Sequence, residues 1–243
     1  MLHSIENEYI KLTVNDEGGA MHSLVCKPEN EERLWQGGEA WKSRDVVIFP
    51  IIGHAAPFEV CGKTYELKSH GLARYAVLSA EKTGEDKITL SFSSNSHTKE
   101  SYPYDFNFSI TYELQKNTVK ITYFVQSLGG TMPFYVGGHP GMRAPGGSAV
   151  IEFENVEHPV IYPLEGGAAK LPELKRFVAD KAFFAECKTF QLGSLSGGAI
   201  YARTQDGYTY EYRSDCPVFA FWSNENGGDY VCVEPWWGIN DNP

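Results

Sequence analysis

Apolar and polar residues alternate over much of this chain. KITLSFSS (87 to 94) does so cleanly, the period-two pattern of a strand with one face in a core and the other in water. FNFSITYEL and TVKITYFVQ repeat it on either side of Lys116 and Asn117, which predicts a long antiparallel hairpin. Further strands are predicted at YIKLTVN, AVIEFENV, AIYART, YTYEYRS, VFAFWS and DYVCVEP, separated by clusters of Gly, Asn, Asp and Pro. Only LPELKRFVADKAFFAEC (171 to 187) has helix-like spacing, and it predicts a short helix on a long connection. The fold class that follows is all-β. This many strands exceed one comfortable open sheet, so they are expected to split into two packed antiparallel sheets, a large β-sandwich.

No repeat, low-complexity tract or break in composition marks a linker, so residues 1–243 read as one domain. A hydrophobic content of 42% is ample for a core. The aromatic share of 14% suits strands and equally suits surfaces that stack on sugar rings, and composition does not choose between these uses. A net charge of −10 with no basic block argues against nucleic acid as a partner. No apolar run approaches the ~20 residues of a membrane span, and the start MLHSIENEY lacks the features of a signal peptide. No membrane partner and a cytoplasmic location are therefore expected. The five cysteines (26, 61, 187, 216 and 232) are widely separated without C-x-x-C spacing, and are expected to be reduced.

Several chemistries lack their motif. CGKT (61 to 64) ends like a phosphate loop, but the leading glycine would fall at Pro57. G-x-S-x-G, H-E-x-x-H and His-x-His are absent, which weakens hydrolase and metalloenzyme readings. Three polar residues remain where strand-and-turn logic prefers apolar ones: His70 in KSHGLAR, His139 in MPFYVGGHPGMR and Glu234 in CVEPWWG. Each lies beside glycine or proline, which end strands and admit close approach of a ligand. A histidine near glycine is often only a hydrogen-bonded structural residue. A carboxylate with apolar neighbours on both sides carries a desolvation penalty unless it is paired or used.

HGLAR, GGHPGM and VEPWWG, in that order and with FPIIG (49 to 53) upstream, resemble the aldose 1-epimerase family, the galactose mutarotase-like sugar epimerases. The likeness runs from about the first strand to the last residue. It implies a galactose mutarotase-like supersandwich with a sugar in a cleft on one sheet, and no metal or cofactor. It also implies that Glu234 is the general base, that His139 is the general acid, and that His70 helps hold the reacting sugar oxygen. The small-molecule partner so implied is a free sugar or a sugar phosphate. Trp236 and Trp237 are candidates for the floor under the sugar, and if they alternate as in a strand only one faces the cleft, with Trp236 taken as substrate-binding.

The sequence also departs from that family. Galactose-type members carry an Asn-Arg pair where GHAAPFEV stands here, with Pro57 and Phe58 at the equivalent positions, so the resemblance is to a less characterised branch and galactose specificity does not follow. Arg74 matches an arginine of a branch acting on hexose 6-phosphates, and Arg44 and Lys68 lie close to the motifs, which leaves a hexose-6-phosphate 1-epimerase as an alternative. The competing expectation is that Arg74 pairs with a nearby acid or contacts a neutral sugar hydroxyl. Family members continue with further strands after the E-P-W segment, whereas only Pro235 to Pro243 follow Glu234, so missing C-terminal strands or a different closure of the sheet is expected. Two rivals stand beside the enzyme: a non-catalytic carbohydrate-binding domain, and a metal site built from His54, His70, His139 and Glu234.

Overall fold

Strand alternation organises almost everything in the computed structural model, which describes residues 1–240. The chain is all-β and antiparallel, and each strand predicted above is present. It forms two compact units. One comprises Met1–Arg33 and Asp45–Gly137 with Asn240, and the other Leu34–Arg44 and Gly138–Ile239. Neither is a contiguous stretch, which is why no change in composition marks a boundary. The expectation about the C-terminal end lies outside the described residues. Among the described residues, no helix is long and apolar enough to cross a membrane.

In the first unit, one four-stranded sheet runs in the order Leu2–Glu6, Ile10–Asn15, Met21–Cys26 and Glu31–Glu32. A second runs Thr118–Ser127, Phe106–Gln115, Lys87–Ser93 and Ser79–Lys82. The predicted hairpin closes with Gln115 opposite Thr118, and Phe106, Phe108, Ile110, Tyr112 and Leu114 all point into the core. Burying each of those side chains contributes about 1.5–3 kcal/mol. Phe49 lies 5.0 Å from the rings of both Phe106 and Phe108, which anchors the FPIIG segment in this core.

In the second unit two sheets pack face to face. One holds Leu174–Ala179, Ala149–Glu157, Ile200–Thr204 and Thr209–Tyr212 in that order. The other holds Ala169–Lys170, Val160–Ile161, Phe190–Gly193, Val218–Trp222 and Tyr230–Trp237, with Gly141–Arg143 also pairing with the last of these. Ile151, Phe153 and Ala202 from the first meet Leu192, Phe219, Phe221, Val231 and Val233 from the second in one core. The helix expected over 171 to 187 is shorter than its spacing suggested. Leu174–Ala179 is a strand on Ala149–Glu157, and only Lys181–Cys187 is helical, started by Asp180, whose side chain accepts from the Phe183 amide at 2.9 Å. Val178 and Phe177 gain cross-strand partners in Val150 and Ile151, and this long-range pairing outweighs local helical spacing.

Candidate active site

The strand Tyr230–Trp237 sets the site by parity. Val231 and Val233 point into the core between the sheets, so Cys232 and Glu234 point to the opposite face. The neighbouring strand is in register, placing Trp222 opposite Cys232 and Ala220 opposite Glu234. On its other side Gly141 pairs with Cys232, which brings the His139 turn over the same face. Gly141 has no room for a side chain: a Cβ there would stand 2.7 Å from the Trp41 ring. Its amide donates to the Arg44 carbonyl at 2.8 Å, and its carbonyl accepts from the Trp35 amide at 2.7 Å.

His139 Nδ1 lies 3.3 Å from Glu234 Oε2. Glu234 is 0% exposed and His139 8%, so both members of the pair are withdrawn from water. A carboxylate so deeply buried is tolerated when an imidazolium beside it compensates its charge. Aromatic rings bracket the imidazole. Trp41 stacks on it with centroids 5.0 Å apart and planes at 28°, and Trp222 meets it edge-on at 5.2 Å. Trp41 and Trp222 also touch each other, at 5.4 Å, and Tyr230 packs against both, at 5.3 and 5.6 Å. The Trp35 indole donates to the Trp41 carbonyl at 2.8 Å and so holds that loop in place.

The other expected site residues divide by unit. Arg44 is in the same unit as the pair, its guanidinium donating to Gln36 Oε1 at 2.6 Å. Trp236 shares the face of Glu234 but is 2% exposed, so it offers little ring surface as a floor. Its indole Nε1 is buried with no acceptor among the described residues. His70, Lys68 and Arg74 lie in the first unit. There HGLAR and FPIIG are laced together, with the Leu72 amide donating to the Phe49 carbonyl at 2.6 Å and the His70 amide to the Gly53 carbonyl at 2.7 Å. Gly71 is obligatory in this lacing, since a Cβ on it would meet the Phe49 oxygen at 2.4 Å.

His70 Nδ1 accepts from the Gly53 amide at 3.2 Å, which puts the proton of the neutral ring on Nε2. Burial, with the positive charge of Arg74 and then His54 behind it, pushes the His70 pKa down to about 3, so the ring is a neutral donor at physiological pH. Arg74 and Lys68 both lie against the Tyr75 ring, at 5.5 and 5.4 Å. Among the described residues neither has an acidic partner within ion-pair distance, contrary to the pairing expected for Arg74.

Sequence reasoning missed Trp41, Trp222 and Cys232. The parity of VFAFWS against DYVCVEP, read as a hairpin, carries the signal for Trp222 and Cys232, but Trp41 sits on a loop that no local pattern ties to His139. Of the metal set His54, His70, His139 and Glu234, the structure groups only the last two, with Cys232 as the third member. A separate cavity of about 330 Å³ in the second unit is lined by Glu157, Ser214, Cys216 and Phe219. Glu157 there accepts from the Ser196 amide at 2.6 Å and hydroxyl at 2.9 Å, and burial pushes the Cys216 thiol up to about 11, so neither is poised for proton transfer or attack.

The molecule is thus of the antiparallel β class, with a buried carboxylate–imidazole contact on a sheet face. Within that class the chain belongs to the aldose 1-epimerase family, whose model matches residues 1–235. The plasmid-encoded LacX protein of Lactococcus lactis subsp. lactis is 25% identical, over 99% of this chain and 89% of its own. A galactose mutarotase related enzyme from Lactobacillus acidophilus is 29% identical with a TM-score of 0.91, over 100% of this chain and 87% of its own. A galactose mutarotase-like protein from Lactobacillus casei is 22% identical with a TM-score of 0.90, over 100% and 90%. The fold is thus the galactose mutarotase-like one.

Proposed function

We propose that the protein is an aldose 1-epimerase that interconverts the α and β anomers of an aldose, with Glu234 as base and His139 as acid. The observation that carries this reading is the 3.3 Å contact between His139 Nδ1 and Glu234 Oε2 under the rings of Trp41 and Trp222. Ring opening breaks the bond between C1 and the ring oxygen. Glu234 takes the proton of the C1 hydroxyl while His139 gives one to the ring oxygen. With Nδ1 turned to Glu234, that proton leaves from Nε2. The aldehyde rotates about C1–C2, and the same two transfers in reverse close the ring on its other face.

The pair suits a dry site for a further reason. Carboxylate with imidazolium, before opening, and carboxylic acid with neutral imidazole, after it, both sum to zero charge. The buried site never holds an uncompensated ion at either stage. The family likeness gives His70 the task of holding the reacting oxygen, and its Nε2–H is a donor suited to that task. The buried Trp236 Nε1 is a second donor that a sugar oxygen would satisfy.

A hexose 6-phosphate as substrate is the second reading, favoured by Arg74 and Lys68 lying on Tyr75 without acidic partners among the described residues. One experiment tests both. Purified protein is added to freshly dissolved α-anomers of free and 6-phosphorylated aldoses and optical rotation is followed. Acceleration is expected, with Glu234→Gln lowering kcat/KM by about 10²–10⁴-fold. A preference for phosphorylated sugars selects the second reading. No acceleration with any of them refutes both, and sugar binding that survives Glu234→Gln without turnover in either form points to a carbohydrate-binding domain.

A further inference from the structure

We infer that the acid–base pair doubles as a capture site for a thiophilic divalent cation such as Zn²⁺, with Cys232 as third ligand, and that the bound ion switches the enzyme off. The ligand atoms of His139, Cys232 and Glu234 all lie within 4.8 Å of one another, and all three residues are buried. One imidazole nitrogen, one sulfur and one carboxylate oxygen are donors that zinc takes, and three protein ligands leave a fourth position for water or a sugar oxygen. Tetrahedral zinc holds such donors roughly 3.3–3.6 Å apart. The nitrogen–carboxylate distance is already 3.3 Å, and the sulfur closes the set by moving at most about 1.5 Å.

Cys232 is what makes the site selective. Its sulfur favours zinc-like ions over Mg²⁺ and Ca²⁺, which require oxygen ligands. Nothing in proton transfer needs a thiol at this place, yet strand parity puts it on the face of Glu234, and the pairing of Gly141 sets it under the His139 turn. Binding expels two protons, the one shared by the pair and the one on the thiol, so affinity climbs with pH. The ion then occupies the lone pair of His139 and the carboxylate of Glu234 together, leaving neither acid nor base for the sugar. This inhibition rests on the proposed epimerase reading, whereas the metal site does not.

The test begins without sugar. Protein stripped by a chelator and dialysed free of it is titrated with Co²⁺ and then Zn²⁺. Expected is one Co²⁺ per chain with the near-ultraviolet charge-transfer absorption of a cobalt–thiolate bond, displaced by Zn²⁺. Cys232→Ser loses the band and binds Zn²⁺ roughly 10²-fold more weakly, while Cys61→Ser, which alters an exposed thiol, keeps both. In the polarimetric assay equimolar Zn²⁺ abolishes wild-type turnover, EDTA restores it, and the inhibition constant rises in Cys232→Ser by the same factor. A wild type without the thiolate band, or a Zn²⁺ affinity unchanged by Cys232→Ser, overturns the site. Turnover that survives a bound ion overturns the switch. A protein that binds zinc here but turns over no sugar refutes the epimerase reading and leaves the site standing. If Cys232→Ser loses the native circular dichroism spectrum, Glu234→Gln removes a different donor and is compared by Zn²⁺ affinity alone, with an affinity equal to the wild type's overturning the site.

Discussion

Burial is the main reason that His70 stays neutral, and the Gly53 amide works in the same direction, because protonating Nδ1 would turn an acceptor of that amide into a second donor. Its ordinary pKa of 6.5 applies in the unfolded chain and about 3 in the folded one. Between those values the unfolded chain binds the extra proton, so the stabilisation is complete above pH 6.5 and is lost as pH falls toward 3. His70→Asn keeps an acceptor and tolerates the left-handed backbone at φ 63°. Urea unfolding at pH 7 and pH 4 should show wild-type stability falling faster than the variant's, by up to ~1.4 kcal/mol per pH unit; equal slopes would contradict the neutral ring. Trp41 acts on the other histidine. Its stacked face steadies a charged imidazole by about 0.5–2 kcal/mol, so Trp41→Leu should lower kcat about tenfold with little change in KM, measured on whichever anomer is turned over. Glu234 and His139 were legible as polar residues in apolar or glycine-rich company. Trp41 was not, because its partnership with His139 spans nearly a hundred residues and depends on a loop.

At the level of elements, period-two alternation placed the strands that carry it cleanly but not Leu2–Glu6, Met21–Cys26 or Phe190–Gly193, and the turn at Lys116 and Asn117 fixed the register of the longest hairpin. That turn holds Lys116 at φ 55°, left-handed backbone that glycine adopts without strain. Lys116→Gly is therefore expected to raise stability by up to about 1 kcal/mol, seen as a higher urea midpoint at unchanged m-value; a lower midpoint would mean that the chain entropy of glycine dominates. The short helix expected within 171 to 187 is present at Lys181–Cys187, and the first part of that segment departs from helical spacing for an instructive reason. Leu174, Phe177 and Val178 read as helical only when their partners on Ala149–Glu157 are ignored, and a local window contains none of those partners. The parity of Tyr230–Trp237 was readable in principle, and it decides which residues share the face of Glu234. Pro235 does not break it, since Phe219 still opposes it in register.

For the whole molecule, sequence reasoning reached the all-β class and the family resemblance, but not the division of the chain. Leu34–Arg44 belongs with residues that follow Gly137, and no composition signal announces such an exchange. The chain therefore passes from the first unit to the second at Leu34, back at Asp45 and across again at Gly138. All five tryptophans, at 35, 41, 222, 236 and 237, fall in the second unit and none in the first. Indole emission is thus a spectroscopic channel for one half of the protein, while far-ultraviolet circular dichroism reports the strands of both. Thermal melts followed by the two signals are expected to coincide, the mark of one cooperative transition. Two separated midpoints would mean that the half without indoles melts unseen by fluorescence, at its own temperature.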